Sequence, residues 1–165
     1  MSLYNVSVPA FLKTLGALSK IIDKAVAHAE AKKIDPSVLL NARLYPDMFA
    51  FTRQIQIACD TAAKATARLA GLEVPTFPDT ETSFAELKQR IAKASDYIKS
   101  VKPERFEGAE TRVIAVPMRG TTMEFKGDDL LVSSVFPNFY FHAATAYDIL
   151  RHNGLEIGKR DFLGA

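Results

Sequence analysis

The chain has 165 residues, 48% of them hydrophobic and 24% charged, with a formal net charge of +2. That size and balance suit a single domain, residues 1–165, folded around one core. Lys and Arg are interspersed with acids, as at Glu86, Lys88 and Arg90, which argues against a nucleic-acid surface, and the lone Cys59 excludes an intrachain disulfide.

A single cysteine fits a reducing compartment. The opening stretch MSLYNVSVPAFLKTL lacks a basic region followed by a continuous apolar run, so it does not read as a signal peptide. No apolar run approaches the ~18 residues of a membrane span. The expectation is a cytoplasmic protein with neither nucleic acid nor membrane as partner.

Helical spacing begins at once. Val8, Phe11, Leu12, Leu15, Leu18, Ile22, Ala25, Val26 and Ala29 recur at three- and four-residue steps and predict a long amphipathic helix over roughly 6–31. Asp35-Pro36 is a helix start, with Asp as N-cap and Pro at the first helical position, and it opens a short helix to about Leu44. Tyr45-Pro46 interrupts, because proline disfavours helical geometry in the residue before it. A second long helix is expected over roughly 46–70, with Met48, Phe51, Ile55, Ala58, Ala62, Ala65 and Leu69 inward and Gly71 at its end.

Glu73 to Thr82, with Pro75 and Pro78, reads as a loop. Ser83 and Glu86 fit a capping box that starts a third helix carrying Phe84, Leu87, Ile91, Ala94, Ile98 and Val101, which stops before Pro103. RVIAVP and TTMEFK are β-prone runs joined by Met118-Arg119-Gly120, a short hairpin with Pro117 at an edge or near the turn. The fourth long helix spans roughly 129–153, with Val132, Val135, Phe139, His142, Ala146 and Ile149 on one face; Pro137 kinks it or starts its regular part, and Gly154 stops it. The tail LEIGKRDFLGA is apolar enough to be ordered. Four long amphipathic helices imply an all-α four-helix bundle with a short β-hairpin between the third and fourth.

The chemistry concentrates on one side chain. His28 lies between Lys24 and Lys32 on a solvated face, and His152 ends a helix where a cation complements the dipole and Asp148 lies one turn back. His142 falls on the inner stripe of PNFYFHAATAYDILRHNG, with Asn138 one turn before it. Two ligands at i and i+4 would be His or carboxylate; Asn is a poor ligand, and Gln54 and Gln56, flanking the inner stripe of the second helix, are neutral amides too. A hydrogen-bonded polar cluster in the bundle is the plainer reading. Cys59 reads as a buried thiol. Asp47 and Asp60 lie several turns apart, and no nucleophile elbow or phosphate loop is present.

RLYPDMFAFTRQIQIACDTAAKATARLAG from Arg43, PNFYFHAATAYDILRHNG from Pro137 and IGKRDFL from Ile157 together resemble a bacterial and fungal family known only as a domain of unknown function, grouped with the DinB/YfiT-like superfamily of metalloenzyme type. The resemblance covers essentially the whole chain. It implies an up-down-down-up bundle, often a homodimer. It also implies a divalent metal, zinc or nickel, held by one histidine from helix two and an H-x-x-x-H pair from helix four, in members that include thiol-dependent transferases and hydrolase-like proteins. Here His142 matches one helix-four histidine. Its companion is Asn138 if His142 is the second and Ala146 if it is the first, and the helix-two position falls near Gln54 or Gln56.

Two readings follow. One is a bundle protein with a degenerate metal site, no resident cofactor, and a polar pocket of Gln54, Gln56, Asn138 and His142 that binds a small molecule or a partner. The other is a metal-dependent hydrolase or thiol-transferase-like enzyme with His142 as metal ligand or general base. Whether the chain is an enzyme stays open. The small residues Ala58, Ala62, Ala63 and Ala65 suggest close helix approach in a homodimer. Phe162-Leu163 are expected to anchor the tail and hold Lys159, Arg160 and Asp161 near a pocket mouth.

Overall fold

A computed structural model describes residues 2–118 and 120–165; Arg119, the middle residue of the expected hairpin turn, lies outside the described residues, as does Met1. Four long helices form the body: α1 (Leu3–Lys32), α3 (Phe51–Leu69), α4 (Phe84–Ser100) and α6 (Phe136–His152). Short helices α2 (Pro36–Leu40), α5 (Gly127–Asp129) and α7 (Lys159–Leu163) link and close them. Strands β1 (Val113–Met118) and β2 (Thr121–Lys126) pair antiparallel, from Val113 opposite Lys126 to Met118 opposite Thr121. The expected four-helix bundle with a late hairpin is the observed architecture.

The local reasons are visible at the ends. The Ser2 hydroxyl accepts from Tyr4 N at 3.2 Å to start α1. Asp35 caps α2 by accepting from Ser37 N at 2.8 Å. α2 stops at Leu40, short of Leu44, with Asn41 as its C-cap: both the Asn41 N–H and its side chain donate to Ser37 O, at 3.0 and 2.8 Å. The second long helix then starts at Phe51 rather than near 46. Residues 41–50 make an irregular link in which Met48 N donates to Tyr45 O at 3.0 Å and Phe51 N to Ala42 O at 2.9 Å. Met48 therefore lies outside the helix whose inner stripe it was expected to join. Gly71 ends α3 with φ +64, and the Leu72 N–H reaches back to Ala67 O at 2.9 Å, a reversal that needs a left-handed residue.

α4 begins as expected, with Ser83 Oγ accepting from Glu86 N at 3.2 Å; the Glu86 carboxylate reaches one residue further back, to Thr82 N at 2.7 Å. α1 packs on α4, α3 and α6, and α3 pairs with both α6 and α4. Phe11, Leu15, Ile22, Ile55, Leu87 and Phe139 are fully buried between them. Ala58, Ala62, Ala63 and Ala65 are equally buried, so this small-residue stripe packs helices within one chain rather than forming a face for a second copy.

The fourth helix contains a correction. Between α5 and α6, Leu130–Val135 is a π-helical stretch. Pro137 has no N–H and its ring crowds the carbonyl four residues back; the widened turn before it gives that carbonyl room. The wide turn also shifts the helical register, so Leu130, Leu131 and Val135 face inward while Val132, expected inside, is 66% exposed. Gly127 at the start of α5 admits no side chain, because a Cβ there would lie 2.0 Å from Ala109 O. In the tail, Leu155 and Ile157 are buried, and the Phe162 ring meets Tyr147 edge-on at 5.8 Å. Asp161 pairs with Lys24 at 2.6 Å. Leu163 is 45% exposed and lies beside Ala10 and Thr14 of α1, and Lys159 and Arg160 are solvated. No helix is long and apolar enough to cross a membrane among the described residues.

Candidate functional site

α3 and α6 run together, and this pairing brings Gln54 to His142. His142 Nδ1 lies 2.6 Å from Gln54 Oε1, and Gln54 Nε2 donates to Phe49 O at 3.1 Å. Both side chains are buried, His142 at 8% exposed. The second bond determines the first. A backbone carbonyl only accepts, so the amide nitrogen faces Phe49 and the amide oxygen faces the imidazole. The amide oxygen also only accepts, so Nδ1 carries the proton and Nε2 carries a lone pair. Nε2 has no protein partner and is not sealed from solvent among the described residues. Burial, and then the nearby positive charge of Arg53, push the imidazole below its ordinary pKa and keep it neutral near pH 7.

Phe141 stands edge-on to His142 at 5.2 Å and is 55% exposed; Phe49, on the other side of Gln54, is 54% exposed. The free imidazole nitrogen is thus a neutral acceptor with the Phe141 ring on one side and the Arg53 charge nearby.

The other two expected pocket residues go elsewhere. Gln56 lies two positions past Gln54, about 200° around the helix, and so faces away. It accepts from Arg53 at 3.2 Å and donates to Glu81 Oε2 at 2.9 Å. Asn138 is exposed and donates to Thr61 Oγ1 at 2.9 Å, lining a groove of about 450 Å³ between α3, β1 and the π-helical stretch. The single pocket expected from the sequence is therefore split into the His142–Gln54 pair, the Asn138 groove and the Gln56 network.

That last network centres on Arg90, which looked like an ordinary surface charge in the sequence. Its side chain is 1% exposed. It donates to Asp60 Oδ1 at 2.5 Å, to Pro78 O at 2.9 Å, and to Asp79 Oδ1 and Glu81 Oε1 at 3.1 Å. Phe77 covers its face at 5.3 Å. The loop before α4 is thereby fastened over α3. The only sequence hint was the run of acids in PDTETS, which gains meaning once a buried cation is known to face it.

The donor set does not fit a divalent metal. His142 offers one free nitrogen, its nearest polar neighbour is a neutral amide, and no group of three or more His, Cys, Asp or Glu is placed to hold an ion among the described residues. His28 is half-buried near Gly154, and no ion pair joins His152 to Asp148 among the described residues. Cys59 is fully buried, and burial pushes its thiol up to about 12, as expected for an unreactive core residue.

The family model "Domain of unknown function (DUF1993)" matches residues 3–163. A crystal structure of a DinB family member protein from Shewanella denitrificans superposes with a TM-score of 0.92 at 47% sequence identity, covering 99% of this chain and 92% of that one. No curated protein matches. The chain belongs to the DUF1993 family and has the fold of a DinB family member protein.

Proposed function

We propose that this protein acts by binding, and that the site is the exposed edge of His142. The hydrogen-bond chain from Phe49 through Gln54 to His142 is the observation that carries the reading. Phe49 O orients Gln54, Gln54 orients His142, and the outcome is a neutral imidazole acceptor beside the exposed Phe141 ring. Such a point suits a small molecule with an apolar or aromatic body and one O–H or N–H donor. The Phe141 ring takes the body, and Nε2 accepts the hydrogen bond.

Phenol is a suitable probe. Titration into ¹⁵N-labelled protein is expected to shift the resonances of His142, Phe49 and Phe141, and His142→Leu is expected to abolish the shifts. Equal phenol binding in folded His142→Leu refutes the site. The metal-dependent form of the enzyme reading needs an ion that His142 alone is poorly equipped to hold. One zinc or nickel bound per chain in untagged protein, and lost in His142→Ala, would favour that reading instead.

A homodimer remains part of the proposal on different residues. Leu44 and Tyr45 are exposed apolar side chains on the link before α3, and burying them against a second copy offers what the small-residue stripe does not. Light scattering of wild type against Leu44→Ser/Tyr45→Ser is the test. A strict monomer at micromolar concentration counts against it.

A further inference from the structure

The groove that takes Asn138 has a charge pattern of its own. Arg53, Asp60, Thr61, Lys64 and Arg68 lie along one face of α3, with Ile57 between the first two, and form its polar wall. Val116 and Pro117 of β1, with Leu130 and Val135 of the π-helical stretch, form the facing apolar wall. Most of the charge is already matched. Arg53 pairs with Asp79, and Lys64 pairs with Asp60 at 2.7 Å. Asp60 also holds Arg90.

Arg68 is the exception. It lines the groove half-buried, with no hydrogen bond and no carboxylate partner among the described residues. Burial, with nothing to offset it, lowers the pKa of its guanidinium. Arg68 lies in the last turn of α3, where the helix dipole favours a cation. The dipole accounts for a positive charge there but supplies no acceptor for five N–H donors. Shedding water without a partner is costly, and an incoming anion removes that cost.

We propose that this groove binds a small organic monoanion, a carboxylate on an apolar body, with Arg68 gripping the carboxylate and Val116, Leu130 and Val135 covering the body. The charge count selects a monoanion, because among the described residues one cation of the groove, Arg68, is left unmatched. The volume of about 450 Å³ lies within the usual range for small-molecule sites. The Thr61 and Ser134 hydroxyls lie in the same groove for a further polar group.

The test is an NMR titration of the full chain with octanoate, with 1-octanol and inorganic phosphate as comparators. Octanoate is expected to shift amides of α3 and β1, and both comparators to bind more weakly. Arg68→Gln is expected to weaken octanoate binding by about tenfold to a hundredfold, the worth of a charge-assisted hydrogen-bonded pair. Arg68→Lys keeps the charge but loses the planar fork and is expected to weaken binding by at least about threefold; it carries the test if Arg68→Gln does not fold. No shift of groove amides at millimolar octanoate overturns the proposal. So does 1-octanol binding equally well, or wild-type affinity in the folded Arg68 variants.

Discussion

Replacing Arg90 by methionine removes the one cation that Asp60, Asp79, Glu81 and the Pro78 carbonyl share. Methionine fills similar space, so the loss is mainly electrostatic. Removing one partner of a buried ion pair costs about 3–5 kcal/mol, because the other is left desolvated and unpaired. Here the partners keep some water: the side chains are 21%, 39% and 10% exposed at Asp60, Asp79 and Glu81, and Asp60 retains Lys64. The lower end, about 3 kcal/mol, is therefore expected, which lowers the melting temperature by roughly 6–12 °C in a chain of this size. Urea unfolding and calorimetry measure both.

The pH dependence gives a second check on the same variant. Burial raises the Asp79 carboxyl, but the hydrogen bonds and charges of Arg53 and Arg90 outweigh this and hold it below its ordinary value of 3.8. A carboxyl depressed in the folded state adds stability above its unfolded value, and that stability drains as pH falls through the folded one. The gap between wild type and Arg90→Met should thus be constant near neutrality and narrow below about pH 4. A loss under about 1 kcal/mol, or a gap unchanged down to about pH 2, refutes the network's role.

Three further outcomes follow. Gly127→Ala forces a Cβ onto the Ala109 carbonyl, a backbone atom that cannot swing away, so a loss at or above the upper end of the usual overpacking cost, about 3 kcal/mol, is expected in urea unfolding; a neutral effect contradicts the close approach. Deleting residues 156–165 exposes the site of Ile157 and strips Phe162 from Tyr147, and should lower the melting temperature; no change would mean the tail is only solvated. Cys59, with its thiol near 12 and no exposure, should resist a disulfide reagent in native protein and react fully in denaturant.

The bundle was legible because its signal is redundant. Val8 to Ala29, Phe51 to Leu69 and Phe84 to Val101 repeat the same spacing many times, so a boundary error at Met48 leaves the helix in place. The site was legible only in part. His142 reads as inward from periodicity alone, and Gln54 was named with it, but sequence spacing gave no way to choose Gln54 over Gln56. That choice depends on the rotation of α3 against α6, which packing sets. Val132 was misplaced because a π turn changes the period within the helix. Arg90 reads as an interspersed surface charge because its partners are 9 to 30 residues away, on a loop and on another helix.

The central claim is that Gln54 holds His142 as a neutral imidazole with its proton on Nδ1. Long-range ¹H–¹⁵N correlation of the His142 ring tests it directly. The account predicts an N–H-type Nδ1 and a lone-pair-type Nε2 at neutral pH, with the preference lost in Gln54→Leu and charging delayed to below the ordinary histidine value. A proton on Nε2, or an imidazolium persisting at neutral pH, would contradict it.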